Sequence, residues 1–83
     1  MSTTRVGAVT HYYGKISVAV ANLSGPLQLG DMISIVGKHT DLQQKVESMQ
    51  IDHQDIQRAK AGQEIALRVT GRVREGDAIY RTA

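Results

Sequence analysis

The sequence predicts an all-β fold of six short antiparallel strands in one small domain, arranged as a sandwich or a small barrel. Val, Ile and Thr together make up 21 of the 83 residues, and their branched Cβ atoms pack well on a pleated sheet but crowd a helix. Short segments alternate apolar with polar residues, and glycine-containing turns separate them. Strands at this spacing, with no helical connection between them, are typical of a small barrel or sandwich.

The first two strands are predicted over residues 5–12 and 16–21. Gly7 interrupts the first strand and predicts a bulge or a close backbone contact, since glycine leaves room that a side chain would fill. Tyr13-Gly14 predicts the turn between the two strands. The second strand has the clearest two-residue period, in which valines alternate with serine and alanines.

The third and fourth strands are predicted over residues 32–36 and 42–51. Ser24-Gly25-Pro26 ends the preceding pattern, and the loop 37–41 separates the two strands. The apolar residues of segment 42–51 change parity partway along it. A single long strand with a bulge near Glu47 or Ser48 is therefore predicted there.

The last two strands are predicted over residues 64–70 and 78–80. Segment 52–60 has few apolar residues and predicts a loop with at most one helical turn. In segment 64–70 the alternation places Ile65, Leu67 and Val69 inward and Arg68 outward.

One short sequence motif recurs along the chain. Gly30-Asp31 and Gly76-Asp77 both stand two residues before an isoleucine, and Gly62-Gln63 is a looser copy. Glycine allows a positive φ, and the following polar side chain can bond to its own backbone. The same turn is therefore predicted to be used three times.

The composition limits the setting of the protein. We expect one domain over residues 1–83, with an ordered core at about 5–81. The chain has no cysteine, which excludes disulfides, thiolate metal sites and cysteine nucleophiles and favours a cytoplasmic location. No apolar run approaches the roughly 20 residues of a membrane span, so no membrane partner is expected.

No catalytic constellation is recognisable, so the chain is expected not to be an enzyme and to need no cofactor. Neither Gly14-Lys15 nor Gly37-Lys38 has the surroundings of a phosphate-binding loop, and no bound nucleotide is expected. Potential metal ligands come together only in Asp52-His53-x-Asp55. An Asp that caps a turn explains this motif better, and no metal site is predicted.

Two groups of residues are candidates for contact with RNA. Two aromatic rings and a cation at a hairpin tip can stack a base and hold a phosphate, or one ring can fold onto the barrel end. The basic residues of the C-terminal half can form one patch, or serve only as solubility charge, since the net charge is +2. The candidates are Tyr12, Tyr13, Lys15, Arg58, Lys60, Arg68, Arg72 and Arg74.

Five stretches, taken in order and spacing, resemble the second, β-barrel domain of translational GTPases such as elongation factor Tu. They are 6–9 with 14–20, 27–33, 45–50, 59–67 and 73–77. Gln50 and His53 match the family's central strand and its continuation. The chain is also similar to small free-standing proteins described as translation elongation factor-like, and a similar barrel ends some collagenase-like peptidases.

The resemblance implies a six-stranded antiparallel β-barrel of the translation-factor second-domain type. It also implies a non-enzymatic binding module that contacts ribosomal or transfer RNA. Gln50 is neutral where the family has an acidic residue that helps to hold the tRNA end, and no GTPase domain is present. The alternative is a protein–protein adaptor that pairs through an edge strand or a sheet face. Its partner would be a second copy of the chain, a GTPase or a peptidase-like enzyme.

Overall fold

The computed structural model describes residues 3–82, and these residues form ten β-strands and no helix. Within that range no helix is long and apolar enough to cross a membrane. The strands are β1 Thr3–Tyr13, β2 Val18–Leu23, β3 Leu27–Gln28, β4 Met32–Gly37, β5 Thr40–Lys45, β6 Met49–Ile51, β7 Gln54–Ile56, β8 Arg58–Ala59, β9 Glu64–Arg68 and β10 Ala78–Thr82. The all-β prediction is confirmed.

The predicted closed six-stranded barrel is wrong. Eight strands form one antiparallel sheet in the order β5-β4-β10-β1-β2-β9-β6-β7, and β3 pairs with β8 as a separate ribbon. Gln44 on β5 spans the distance to the end of β9. Its Nε2 donates to the Arg68 carbonyl at 2.8 Å, and its Oε1 accepts from the Thr70 N–H at 2.8 Å. These bonds link edge strand β5 to the end of β9 through a side chain, and within residues 3–82 no backbone ladder joins the two edge strands β5 and β7.

The single strand predicted over 42–51 is two strands, β5 and β6, rather than one strand with a bulge. Between them, the Val46 N–H donates to the Asp31 carbonyl at 2.8 Å, and the Val46 carbonyl accepts from the Gly30 N–H at 2.9 Å. These bonds hold the backbone of Val46 against a turn instead of a strand. Three residues thus carry the chain from one end of the sheet toward the other.

The segment predicted as a loop, residues 52–60, contains the turn of the β6–β7 hairpin, strand β7 and strand β8. Asp52 and His53 form the two-residue turn of the hairpin, with φ of 51° and 63°. Two central residues with positive φ are the pattern of a type I′ turn, whose twist matches that of the flanking strands. The sequence signal is weak because Asp-His lacks the glycine that usually marks this turn.

The prediction of a bulge or a close backbone contact at Gly7 is confirmed, since both features are present. The register of β1 against β10 shifts between Arg5 and Gly7. A Cβ on Gly7 would lie 2.7 Å from the Asn22 carbonyl oxygen, so β2 can approach only because the side chain is absent.

The core lies on the inner face of the curled sheet and is aliphatic. On β9 and just beyond it, Ile65, Leu67 and Val69 point inward and Arg68 points outward, as predicted. On β2 the inward residues are Ala19 and Ala21, while Val18 and Val20 are half-buried on the other face. The largest fully buried side chains are Leu27, Ile33, Ile35, Met49, Ile65, Leu67, Ile79, Val6, Val9, Val46 and Val73.

The recurrent turn is confirmed as one structure built three times. Gly30, Gly62 and Gly76 have φ of 92°, 88° and 90°, as the third residue of a type II turn requires. In each turn the side chain that follows the glycine accepts from a backbone N–H three residues earlier, at 3.0, 2.9 and 2.8 Å. The acceptors are Asp31, Gln63 and Asp77.

Each turn is also attached to a neighbouring strand or link by a pair of backbone hydrogen bonds. The glycine N–H donates to the carbonyl of a buried apolar residue, and the N–H of that residue donates to the carbonyl after the glycine, all at 2.8–2.9 Å. The buried residues are Val46, Leu23 and Val9 in turn order. Three short sequence motifs therefore fix where distant segments meet.

We expect Gly62→Ala to lower the free energy of unfolding by about 1–2 kcal/mol, the cost of a left-handed conformation for a residue with a Cβ. No atom lies within 4 Å of the added Cβ, so conformation alone causes the loss. Gly30→Ala and Gly76→Ala share both properties and should show the same loss in urea unfolding. Gly14→Ala, at a glycine without a positive φ, is the control. A loss there as large as at Gly62 would contradict the explanation.

Candidate interaction surfaces

The predicted hairpin-tip residues separate in the structure. Tyr12 is half-buried and packs against the core. Tyr13 is exposed, and its ring centroid lies 6.3 Å from that of His11 with a tilt of 34°. Lys15 lies in the exposed turn between β1 and β2. The two tyrosines therefore do not form a paired stacking platform.

Lys15 and Arg68 line one shallow groove of about 460 Å³ with Ile16, Ser48 and Gln50. Val18 at the start of β2 is directly opposite Arg68 on β9, and this pairing brings the hairpin turn close to Arg68. We call this the hairpin groove. Lys15 and Arg68 are the two predicted basic residues that line it.

Arg58 and Lys60 line a different groove, of about 440 Å³, together with Arg81. Pro26, Leu27 and Ala59 provide its apolar lining. We call this the basic groove. Arg72 and Arg74 are exposed in the segment between β9 and β10 and line neither groove. The predicted patch of five basic residues is thus divided among separate regions.

Sequence reasoning missed Arg81. It lies two residues beyond Ile79 on β10, so it shares the inward face of that strand. Its direct neighbours across the sheet are Thr4 on β1 and buried Ile33 on β4. Because Arg81 follows Ile79 by two residues, the alternation along the strand could have placed both side chains on the same face.

The two positions matched to the translation-factor strand lie in the β6–β7 hairpin. Gln50 donates from Nε2 to Asp55 Oδ1 across the hairpin at 2.9 Å, and His53 occupies the turn itself. Among residues 3–82 no three His, Asp or Glu side chains are grouped closely enough to hold a metal ion. In this motif Asp52 and His53 form the turn of the hairpin, and Asp55 accepts the hydrogen bond from Gln50 beside it.

An apolar surface covers the outer face of β4 and β10. Met32 and Val36 on β4 are 49% and 41% exposed. Beside them, Ala78 pairs with Val36 and half-buried Tyr80 pairs with Ser34. On the other side of β4, Lys45 and Asp41 of β5 pair with Met32 and Val36. An apolar centre with a charged border is the arrangement found in protein–protein interfaces. We call this surface the β4–β10 face.

Comparison with known proteins finds similar sequences in two peptidases, although no protein-family model matches the chain. The chain is 42% identical over 76 residues to an uncharacterized protease of Methanocaldococcus jannaschii. It is 38% identical over 80 residues to a collagenase of Porphyromonas gingivalis. These matches cover 90% and 94% of the chain but 19% and 22% of the relatives. The chain therefore spans about a fifth of the length of the relatives it matches.

The same fold occurs in a solved peptidase domain. The C-terminal domain of a putative U32 peptidase of Geobacillus thermoleovorans superposes with a TM-score of 0.89 at 15% identity. That superposition covers 95% of this chain and 92% of the solved domain. A selenomethionine variant of the same domain gives a TM-score of 0.87.

These comparisons correct the assignment to the translation factors. The relatives are named as a protease and a collagenase, and the structural neighbours are C-terminal domains of a peptidase. The interpretation of the chain as an elongation factor-like module that contacts ribosomal or transfer RNA is therefore wrong. The motifs behind it describe turns and strand starts, which any sheet with this turn chemistry can share.

Proposed function

We propose that this chain is a non-catalytic module of a U32-type peptidase system and packs against the catalytic part of the enzyme. One observation carries the proposal: the similarity covers nine-tenths of the chain but about a fifth of the protease relatives. A separate C-terminal peptidase domain with the same fold supports it. In this proposal the catalytic residues belong to the remaining four-fifths of such proteins. The expected cytoplasmic location stays a prediction.

The proposed docking surface is the β4–β10 face. Met32 and Val36 lie on the outer side of β4 with Ser34 between them, and the two residues are 49% and 41% exposed. Burial of these apolar side chains against a partner removes their surface from water, which favours association. Lys45 and Asp41 at the border add polar contacts that set the orientation. This proposal corresponds to the alternative hypothesis of a protein–protein adaptor, with a peptidase-like enzyme as its partner.

A binding experiment tests the proposal with the Porphyromonas collagenase from which the matching segment has been removed. We expect the chain to bind this remainder in isothermal titration calorimetry and to hydrolyse no gelatin when alone. Met32→Lys with Val36→Lys should weaken binding at least about tenfold, because two charges would then be buried without partners. Ile16→Lys is the control, because Ile16 is 63% exposed but lies at the hairpin tip.

Three results would contradict the proposal. Gelatin hydrolysis by the isolated chain would show that the module is itself catalytic. Equal loss of binding from Ile16→Lys and from the β4–β10 substitutions would show that the face does not dock. Absence of binding to the remainder of both the collagenase and the archaeal protease would remove the peptidase association.

A further inference from the structure

The basic groove combines three cations with an apolar floor. Its lining includes Arg58, Lys60 and Arg81, and no carboxylate side chain contributes to it. In the described part of the chain, residues 3–82, the one contact within 4 Å between a basic and an acidic side chain joins His11 to Glu75. The three cations of the groove therefore have no internal counter-charge among those residues. Like charges held together without a partner repel one another, and an anion relieves that repulsion.

Arg81 is the most informative of the three. It occupies an inward position of β10, after fully buried Ile79 and opposite fully buried Ile33. Its side chain is half-buried, and among residues 3–82 it makes no side-chain hydrogen bond to another residue. A guanidinium that has lost part of its hydration without a partner is unfavourable. A carboxylate that enters the groove would supply two acceptors in the planar geometry that arginine prefers.

We propose that the basic groove binds an acidic peptide segment. The segment lies extended along the β3–β8 ribbon, with its carboxylates on Arg81, Arg58 and Lys60 and its apolar side chains against exposed Pro26. A volume of about 440 Å³ accommodates a few residues. Gln63 already accepts from the Lys60 N–H through Oε1, which leaves its Nε2 available to donate to a peptide carbonyl.

The lining of the groove favours a peptide over a nucleic acid. It contains no aromatic ring on which a base could stack, and Tyr12 and Tyr13 line neither this groove nor the hairpin groove. The whole chain has a net charge of only +2, which is low for a protein that follows a phosphate backbone. Exposed Pro26, together with the small accessible parts of Leu27 and Ala59, instead offers an apolar contact for side chains between acidic residues.

The proposal goes beyond docking on a peptidase, because the groove and the docking surface use opposite sides of β10. Arg81 faces inward, whereas Tyr80 and Ala78 belong to the β4–β10 face. Substitutions in one surface therefore leave the other unchanged. Loss of peptide binding and loss of docking can be measured separately on the same protein.

Fluorescence anisotropy with the full chain tests the proposal. The probe is a fluorescein-labelled octapeptide of alternating Glu and Pro, which is soluble and extended. We expect saturable binding that weakens at least about tenfold when Gln replaces Glu in the peptide, since charge-assisted hydrogen bonds are lost. Arg81→Gln should have a similar effect, with circular dichroism and thermal unfolding confirming that the variant is folded.

Charge-matched double variants make the test independent of Arg81→Gln. Arg58→Gln with Lys60→Gln removes two exposed cations from the groove, and we expect about a tenfold loss. Arg72→Gln with Arg74→Gln removes two exposed cations outside it, and binding should stay within about twofold. Equal losses from both pairs would indicate attraction by net charge and overturn the proposal. No peptide binding below about 1 mM, or binding of a uridine decanucleotide in preference to the peptide, would also overturn it.

Discussion

Replacement of Gln44 by leucine is expected to lower the free energy of unfolding by about 3 kcal/mol, equivalent to a fall in Tm of roughly 12–24 °C for a domain of this size. Leucine preserves most of the buried volume but makes no hydrogen bond. The Arg68 carbonyl and the Thr70 N–H would both lose partners that now lie at 2.8 Å. Each part-buried group left unpaired costs about 1–3 kcal/mol.

The bonding pattern determines how the Gln44 amide is oriented. The Thr70 N–H can only donate, so it must face Oε1, and the Arg68 carbonyl can only accept, so it must face Nε2. Gln44→Glu keeps the shape but turns the second contact into a repulsion between two acceptors. Its loss of stability relative to the original protein should be larger at pH 7 than near pH 4. A protonated carboxyl regains a donor, so this loss grows as the pH rises.

Gln43→Leu is the matched control, because Gln43 is the exposed neighbour of Gln44 on the same strand. Its effect on stability should stay within about 0.5 kcal/mol, as for most surface substitutions. Urea unfolding followed by far-ultraviolet circular dichroism measures all three variants. A loss for Gln43→Leu equal to that for Gln44→Leu would show that the amide does not join β5 to β9.

Gly37→Ala is expected to lower the free energy of unfolding by about 3 kcal/mol, at the upper end of the range for overpacked sites. The added Cβ would lie 2.6 Å from Asp77 Cγ and closer still to Asp77 Oδ1. Asp77 cannot move away easily, because its side chain is buried and its Oδ2 accepts from the Arg74 N–H at 2.8 Å. The substitution therefore strains both the end of β4 and the turn before β10.

A double-mutant cycle separates this clash from other effects. With Asp77→Ala present, the nearest remaining atom of residue 77 to the new Cβ would be its own Cβ at 3.4 Å, an ordinary contact. The double variant should be more stable than the sum of the single effects predicts, by about 2 kcal/mol. Thermal unfolding of the four proteins gives this difference. Simple additivity would rule out the Gly37–Asp77 contact as the cause.

The parts of the fold that were predicted correctly depend on interactions between residues close together in the sequence. Alternation identified β9 together with its inward face, and glycine followed by Asp or Gln identified three equivalent turns. Gly7 identified the bulge in β1. In each case the side chain, or its absence, acts on backbone within a few residues, so the signal is present in the local order.

The incorrect predictions depend on where distant segments meet. Leu42 to Ile51 has the composition of one strand, but bonds from Val46 to the Gly30–Asp31 turn divide it. The basic residues look like one patch along the chain, yet the sheet separates Arg58 and Lys60 from Arg68. The motifs interpreted as those of a translation factor are turn signatures. They indicate where the chain reverses direction, but they do not specify what the surface of the folded protein binds.

The all-β class, the aliphatic core and the three glycine turns follow from residue types and their spacing, since propensity and turn chemistry act locally. Only the tertiary structure decided the order of the ten strands and the Gln44 link between β5 and the end of β9. It also decided that Arg81 shares a groove with Arg58 and Lys60. Sheet pairing joins residues far apart in the chain. Arg81 and Arg58 acquire a common groove only after β10 and β8 have packed around the same core.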